Sequence, residues 1–429
     1  MGERPSGAAG LRAALFPLDG PLRFLLLCSF LIPLGSFMVL PFMSVFLHER
    51  LGMGLGTVGV VLAAASLVQF SGSVAGGALA DRIGLRRTML WALAVRTAGF
   101  AGLLAALRWP PLAVGALVLT CCGAALYLPA NKAYLVHGVD DERRPAFLSA
   151  GNAALHAGMA VGPLVAGPFV LSAPGWLFAA VTALFLAVTA GHARLPDADG
   201  KDGKDGKDGE RPSAPGGARR GPLSGVAVLP FAATVLAFYL YFHFQHFLAV
   251  YAVERASGTF YSLVLLLCFV LVIVVQPLAS GLIRRMPYAT ALAAGFAGLA
   301  AGLAVLAIGT RPALLAGGAL ITLGDIVLFL KNDLEALRRS PRSDAVVFGR
   351  QRLAAGIGAC ASGVLGGQLY GLTEHAGHTG WFWLLAAAQC LLLPAVLPAL
   401  RDRTPQHLHP HDDEGGLRPH DTDGRVPGR

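Results

Sequence analysis

Charge is scarce in this chain. Asp, Glu, Lys and Arg make up 14% of its 429 residues, where a soluble domain carries roughly 25%. That shortage excludes an ordinary water-soluble globule. Cysteine is sparse too. Cys28, Cys121, Cys122, Cys268, Cys360 and Cys390 all fall within apolar runs. They read as small buried hydrophobes, with neither a zinc spacing nor a disulfide framework. No G-x-x-x-x-G-K-[ST] loop is present to cradle a nucleotide phosphate, and no H-E-x-x-H pair or Ser/His/Asp layout stands among the apolar runs. ATP hydrolysis, intramembrane catalysis, a metal centre and a cofactor are therefore not expected. The ~10-residue alternating segments of an outer-membrane barrel are missing as well. So is a small-residue cleavage site after the first apolar run, which begins near Leu22 and is too long for a signal-peptide core. That run is expected to stay in the protein.

Apolar residues fill the space that charge leaves. They are 55% of the chain, with a mean hydropathy of +0.61. Glycine, at 54 residues, suits helices that must approach closely in lipid. Spans of ~20 apolar residues are predicted at 22–47, 55–79, 89–107, 111–135, 146–171, 174–192, 225–250, 259–282, 288–309, 312–334, 346–371 and 379–400. The fold class is thus an all-α membrane protein of twelve transmembrane helices. With the N-terminus inside, the outer loops hold only Arg50, Arg108, Arg255 and Arg311, while Arg82, Arg86, Arg87, Arg143, Arg144, Arg284, Arg285, Arg338, Arg339 and others fall on the inner side. The excess of Lys and Arg predicts both termini in the cytoplasm and a place in the cell's inner (plasma) membrane. The net charge of +9 does not imply nucleic acid, because the basic residues sit at helix ends.

Residues 193–224 contain KDGKDGKDG, a charged, glycine-rich segment unable to bury apolar surface. It divides the chain into residues 1–192, the linker, and residues 225–400. Residues 401–429 form a polar tail with His407, His409, His411 and His420; metal binding is conceivable there, and composition favours a solvated, disordered tail. The halves echo each other. A shift of 200 sets Gly158, Gly162, Ala166 and Gly167 against Gly358, Ser362, Gly366 and Gly367, and Asn152 against Arg352. A shift of 203 sets Leu79, Asp81 and Arg82 against Leu282, Arg284 and Arg285. Two pseudo-symmetric six-helix bundles are a transporter architecture with the substrate between them near mid-membrane. A monomer is sufficient for that design.

The strongest local motif is Gly77-Ala78-Leu79-Ala80-Asp81-Arg82-Ile83-Gly84-Leu85-Arg86-Arg87, placed at the turn between spans 2 and 3. Stop-transfer charge explains its arginines but not an aspartate and two glycines at these offsets. Glycine permits a tight turn and close helix approach, and Asp81 can pair with arginine or face a helix N-terminus. The segment resembles the signature loop of the major facilitator superfamily, although Leu85 stands where a basic residue is usual. The resemblance implies the major facilitator fold. It also implies a cytoplasmic gate motif of Gly77, Asp81, Arg82, Gly84, Arg86 and Arg87, facing the start of span 11 near Val346–Arg350.

A second motif, Gly158-Met159-Ala160-Val161-Gly162-Pro163-Leu164-Val165-Ala166-Gly167, is a small-residue packing face with a proline kink. It is also similar to the span-5 motif of proton-coupled drug exporters, through Gly158, Gly162, Pro163 and Gly167. The segment Tyr241–Gln245 and the pair Gln276-Pro277 resemble the bacterial multidrug branch. Span 4 lacks that branch's intramembrane arginine and offers Tyr127, Asn131 and Lys132; Arg96 of span 3 is the alternative source of positive charge. Tyr127, Asn131, Arg96, Tyr241, Gln245 and Gln276 are the candidate cavity residues.

Ionisable groups in lipid are costly and functional by default. Asp325, the only carboxylate predicted deep within a span, is positioned to bind and release a proton, unless it pairs structurally with Lys331 or Arg96. His243, His246 and His156 could relay protons or serve only as buried hydrogen-bonding groups. Asn152, Arg350 and Arg352 belong near the inner gate. The expected function is proton-coupled export of small hydrophobic or amphipathic molecules, with protons, a small-molecule substrate and the lipid bilayer as partners. Uptake symport of a small nutrient or metabolite is the alternative. It would need more polar side chains than spans 1 and 7 supply. A non-transporting scaffold or sensor fits the short loops poorly.

Overall fold

The computed structural model describes residues 20–136, 144–196, 227–340 and 344–397. The KDG repeat and the histidine-containing tail lie outside these residues. Among the described residues twelve helical spans follow one another: α1 Gly20–Arg50, α2 Leu55–Ile83, α3 Leu85–Ala106, α4 Leu112–Val136, α5 Arg144–Ala166, α6 Pro174–His192, α7 Val228–Arg255, α8 Gly258–Arg285, α9 Tyr288–Leu306, α10 Arg311–Arg339, α11 Asp344–His375 and α12 Gly380–Leu392. Eleven are long and apolar enough to cross a membrane; the other is α5, which carries Asn152 and His156 in its polar first half. Helices suit this setting because each satisfies its own backbone where water is absent.

Two spans are interrupted. In α1 Pro41 sits in a 3₁₀ turn, Leu40–Phe42, after a regular stretch ending at Phe37 that itself contains Pro33. Proline removes a helical donor, and the Pro41 carbonyl instead accepts from the Tyr261 hydroxyl of α8 at 3.3 Å. In α11 a π-helical turn, Ser362–Gly366, follows Ala361. Its small residues let His243 and Phe247 of α7 press against Gly366.

The packing repeats with a six-helix period. The pairs α3–α4, α1–α5, α2–α4 and α3–α6 recur as α9–α10, α7–α11, α8–α10 and α9–α12. The glycines spaced 200 apart show why. Gly158 lets α5 lie on the α1 backbone at Phe30 and Leu34, and Gly358 lets α11 lie on the α7 backbone at Val235 and Tyr239. Each half has its own apolar core. Leu278, Leu282, Trp176 and Leu391 are turned outward, as side chains facing lipid should be.

The halves meet closely at one end only, the end carrying Gly54 and Gly258. Gly167 of α5 touches Gly258 and Thr259 of α8, while Gly367 of α11 touches Gly59 and Leu55 of α2. The Ser262 hydroxyl donates across this seam to the Pro163 carbonyl at 2.6 Å. Pro163 leaves a carbonyl without its helical donor, yet it is Pro163's own carbonyl that Ser262 reaches. His48 of α1 and Glu374 of α11 come within 3.5 Å. Toward the opposite, arginine-bearing end, Phe70 of α2 still touches Phe238 and Phe242 of α7. Beyond it Asp81 is exposed.

A side chain at Gly59 has nowhere to go: a methyl would overlap the Gly363 carbonyl and stand 2.7 Å from Gly367 Cα. Gly59→Val should therefore penalise this closed arrangement by ~1–3 kcal/mol, the usual cost of overpacking. The expected outcome is a rise in labelling, by a membrane-impermeant maleimide, of a cysteine placed at position 371, where a side chain has room beside Gly56. Unchanged labelling would mean that the seam is not tight.

Candidate functional site

The gate motif is more helical than its sequence suggests. Asp81 and Arg82 lie on the last turn of α2, and Arg86 and Arg87 on the first turn of α3. The turn is one residue, Gly84, at φ +88°, a conformation that favours glycine. Its N–H closes α2 on the Ala80 carbonyl, and its own carbonyl accepts from the Thr88 amide and hydroxyl of α3. Arg86 reaches the Ala193 carbonyl beyond α6 at 2.6 Å. Asp81 has no ion pair or hydrogen bond among the described residues. Gly77 has no atom within 4 Å of a built Cβ, and Gly76 makes the close approach instead, to the α4 backbone at Ala125 and Leu126. Asp81, Arg82 and Arg87 are exposed at this end.

Between α1, α4 and α5, on the side of the arginine-bearing end, is a cavity of about 350 Å³. Ile32, Pro33 and Leu155 are in its apolar wall; Ser29, Tyr127, Asn131, Lys132 and Asn152 are in its polar wall. Tyr127 is held from behind. His192 Nδ1 lies 2.8 Å from the Val188 carbonyl and must donate to it, which leaves Nε2 as acceptor for the Tyr127 hydroxyl at 3.0 Å. The same hydroxyl is 3.1 Å from Asn131 Oδ1, a second acceptor for its hydrogen. Arg96 is buried on α3. Its Nη2 donates to Ser36 Oγ at 2.6 Å, and its guanidinium carbon is 5.2 Å from the Phe185 ring centre.

The matching space in the second half is filled. Phe238 and Phe329 stack at 4.5 Å between α7 and α10, and Tyr241 stands edge-on to Phe329. Beneath them is Asp325, 7% exposed. The Tyr241 phenol of α7 is its electrostatic neighbour and accepts from Gln245 Nε2 at 2.6 Å. Positions 241 and 245 share one face of α7, so carboxyl, phenol and amide form a single polar line. Lys331 is not part of it. Its ammonium donates to the carbonyls of Ile283, Arg284 and Met286, at 3.3, 3.0 and 2.6 Å. It thereby caps the C-terminal end of α8.

These features and the fold can be set beside known proteins. The sequence model of the Major Facilitator Superfamily matches residues 25–330. The chain belongs to the Major Facilitator Superfamily. It is 33% identical over 168 residues to multidrug resistance protein MdtH of Cronobacter sakazakii, covering 39% of this chain and 41% of that one. It is 30% identical over 181 residues to the MFS-type transporter YhjO of Bacillus subtilis (strain 168), covering 41% and 44%. The chain thus matches about two fifths of the length of these curated relatives. The crystal structure of the nucleoside transporter NupG superposes with a TM-score of 0.71 at 13% identity, over 89% of this chain and 99% of that one. Membership places the chain among transporters rather than enzymes, and its fold is that of the superfamily.

Within this superfamily fold the remaining predicted residues are spread over several environments. His243 is fully buried; Nδ1 is 2.7 Å from the Tyr239 carbonyl and 3.1 Å from Ser362 Oγ. His246 Nε2 meets Ser66 Oγ of α2 at 3.2 Å, across the two halves. The Nδ1 atoms of His246 and of His156 have no partner among the described residues. No hydrogen bond or ion pair among the described residues joins these histidines to Asp325. Gln276 is half-buried beside Pro277 on α8. Arg352 of α11 lies 6.0 Å over the Phe70 ring, with Asp333 of α10 as its electrostatic partner. His192 and Asp333 were missed in the sequence. The only available signal was that each is an ionisable residue near the end of an apolar run.

Lys331→Met would remove the ammonium from three helix-end carbonyls, of which Ile283 keeps the Met286 N–H. The variant should insert normally and lose ~1–3 kcal/mol, the range for a buried acceptor without a partner. A lower thermal midpoint of the purified protein is the expected reading; an unchanged midpoint would show that water can replace the ammonium.

Proposed function

We propose that the chain is a proton-coupled exporter of small hydrophobic or amphipathic molecules. It works as a monomer by alternating access, in a cell's inner membrane with both termini in the cytoplasm. Its working units are the bundles of residues 1–192 and 225–400, joined by a flexible linker at 193–224 and followed by a disordered tail at 401–429. The observation that carries this reading is one-sided closure. The halves touch backbone to backbone at the Gly59 and Gly167 seams, while a cavity of about 350 Å³ lies toward the other end. By the charge rule that other end is cytoplasmic, so a molecule would enter from inside. Rocking about the centre would open the glycine seams and present it outside.

Asp325 is the proton carrier in this reading. It is buried within α10, with the Tyr241 phenol of α7 as its neighbour. Gln245 holds the phenol in place. His243, His246 and His156 are secondary candidates for passing the proton on. Gly77, Asp81, Arg82, Gly84, Arg86 and Arg87 close the cytoplasmic gate, and Gly158, Gly162, Pro163 and Gly167 carry the α5 hinge. Export is favoured by the likeness of the α5 motif to drug exporters and by the similarity to a protein named for multidrug resistance.

Asp325→Asn keeps a polar group beside Tyr241 and should leave the protein folded in the membrane. In inside-out vesicles it should lower proton-driven dye transport by roughly tenfold or more, within the usual range of coupling energies. Wild-type transport by this variant across a pH gradient would remove Asp325 from the coupling. Asp81→Ala should cut transport to a similar degree by loosening the gate, whereas unimpaired rates would count against that role.

A further inference from the structure

The described residues of the first half carry little negative charge. Among its described residues, 20–136 and 144–196, the only carboxylates are Glu49 and Asp81, one at the end of α1 and the other on the last turn of α2. Two cations nevertheless occupy positions inside helices. Arg96 is 5% exposed. It has one hydroxyl and one aromatic face for company, and its Nε has no partner among the described residues. The Ser36 hydroxyl that it meets donates its own hydrogen to the Ile32 carbonyl at 2.5 Å. A guanidinium in such a place needs a compensating anion.

The second cation is Lys132, whose side chain lines the cavity. Ser36, the anchor of Arg96, is one helical turn beyond Ile32 and Pro33 in the same cavity wall. One cation therefore stands in the wall, and another is anchored to the next turn of α1. Across the halves the group facing Lys132 is Arg352. Its own charge is shared with Asp333 on the second half, and His156 is the titratable neighbour on α5. A cationic guest would be repelled here and a neutral one would leave the field uncompensated. An anionic head beside Tyr127, Asn131 and Lys132 would complete it, with the apolar body against Ile32, Pro33 and Leu155.

We infer that this cavity takes an amphipathic organic anion, with a carboxylate or phosphate head on an apolar body, and that such anions are the substrate class. The inference rests on the reading of the cavity as part of a transport path. It concerns charge selection alone, so it fails or stands separately from direction and coupling.

Three coumarin probes test it, sharing one fluorophore and differing only in charge: 7-diethylaminocoumarin-3-carboxylate, its primary amide, and its aminoethyl amide. Binding of each to the full chain in phosphatidylcholine nanodiscs is read by fluorescence anisotropy. The carboxylate should bind at least about tenfold more tightly than the amide, with the cation weakest. Lys132→Gln, at an exposed position, should cost the carboxylate about tenfold and leave the amide unchanged. Phosphatidylglycerol added to the discs should not displace the carboxylate probe. Displacement would assign the cations to a lipid headgroup and overturn the substrate assignment. Equal binding of the three probes, or unchanged carboxylate affinity in Lys132→Gln, would also overturn it. Dye efflux without anion selectivity would sink this inference and leave export standing; anion selectivity without efflux would do the reverse.

Discussion

Two glycine seams hold the halves of this protein together, and the rest of the architecture depends on them. In lipid there is no hydrophobic drive between helices, because the tails are as apolar as the side chains. Attraction must come from close backbone approach. At Gly59 against Gly363 and Gly367, and at Gly167 against Gly258, a missing Cβ on each partner permits that approach. Few directional bonds reinforce it: Ser262 to Pro163, Tyr261 to Pro41, His246 with Ser66, and the His48–Glu374 pair. A seam of that kind is tight by geometry and light in hydrogen bonds. It can part without stranding many polar groups, as a two-sided gate requires.

Closure at one end sets the charge accounting at the other. In the second half, aromatic rings fill the space between α7 and α10 above Asp325. In the first half, α1 and α4 stand apart, and the space between them is a cavity. The polar groups around it are braced from behind by His192, whose Nδ1 donates to Val188 and whose Nε2 shares the Tyr127 hydroxyl with Asn131 Oδ1. The same volume that is a packed core in one half is thus a lined space in its counterpart. The difference lies in side-chain size, with Phe329 in α10 and small residues such as Ala130 in α4.

Much of this was legible in the sequence. Spans emerged from apolar length, and the 200-residue echo between Gly158 and Gly358 proved to mean the same contact made twice, fifth helix on first helix in each half. The boundaries were less legible where charged residues continue a helix past its apolar part. Asp81 and Arg82 were placed in a turn because charge reads as loop, yet they finish α2, and the turn is Gly84 alone. Asp325 was recognisable as an ionisable residue deep in a span. Its neighbour was not, because Tyr241 is 84 residues away and meets it only through the packing of α7 on α10. Lys331 looked like a possible counter-ion on the same helix, whereas the free carbonyls at the end of α8 attract it more strongly than the sequence alone could indicate. The π turn of α11 left no signature beyond a run of small residues.

The internal symmetry is kept in the packing and broken in the chemistry. Gly158 and Gly358 repeat a contact, and Gly167 and Gly367 each cross to the opposite half. At equivalent depth, however, Asn131-Lys132 of α4 stands against Asn332-Asp333 of α10, and Asn152 of α5 against Arg352 of α11. The second half thereby gives its own cation Asp333 as a charged neighbour, while no carboxylate among the described residues pairs with Lys132 or Arg96. Motion of two rigid bundles needs equivalent surfaces, since each half must serve as the other's bearing. Recognition needs the opposite, because a site with two-fold symmetry would present the same group from both sides to a molecule that has no such symmetry. Repetition at the seams and divergence at the cavity are therefore the pattern expected of a duplicated fold in which gating is shared and binding is one-sided.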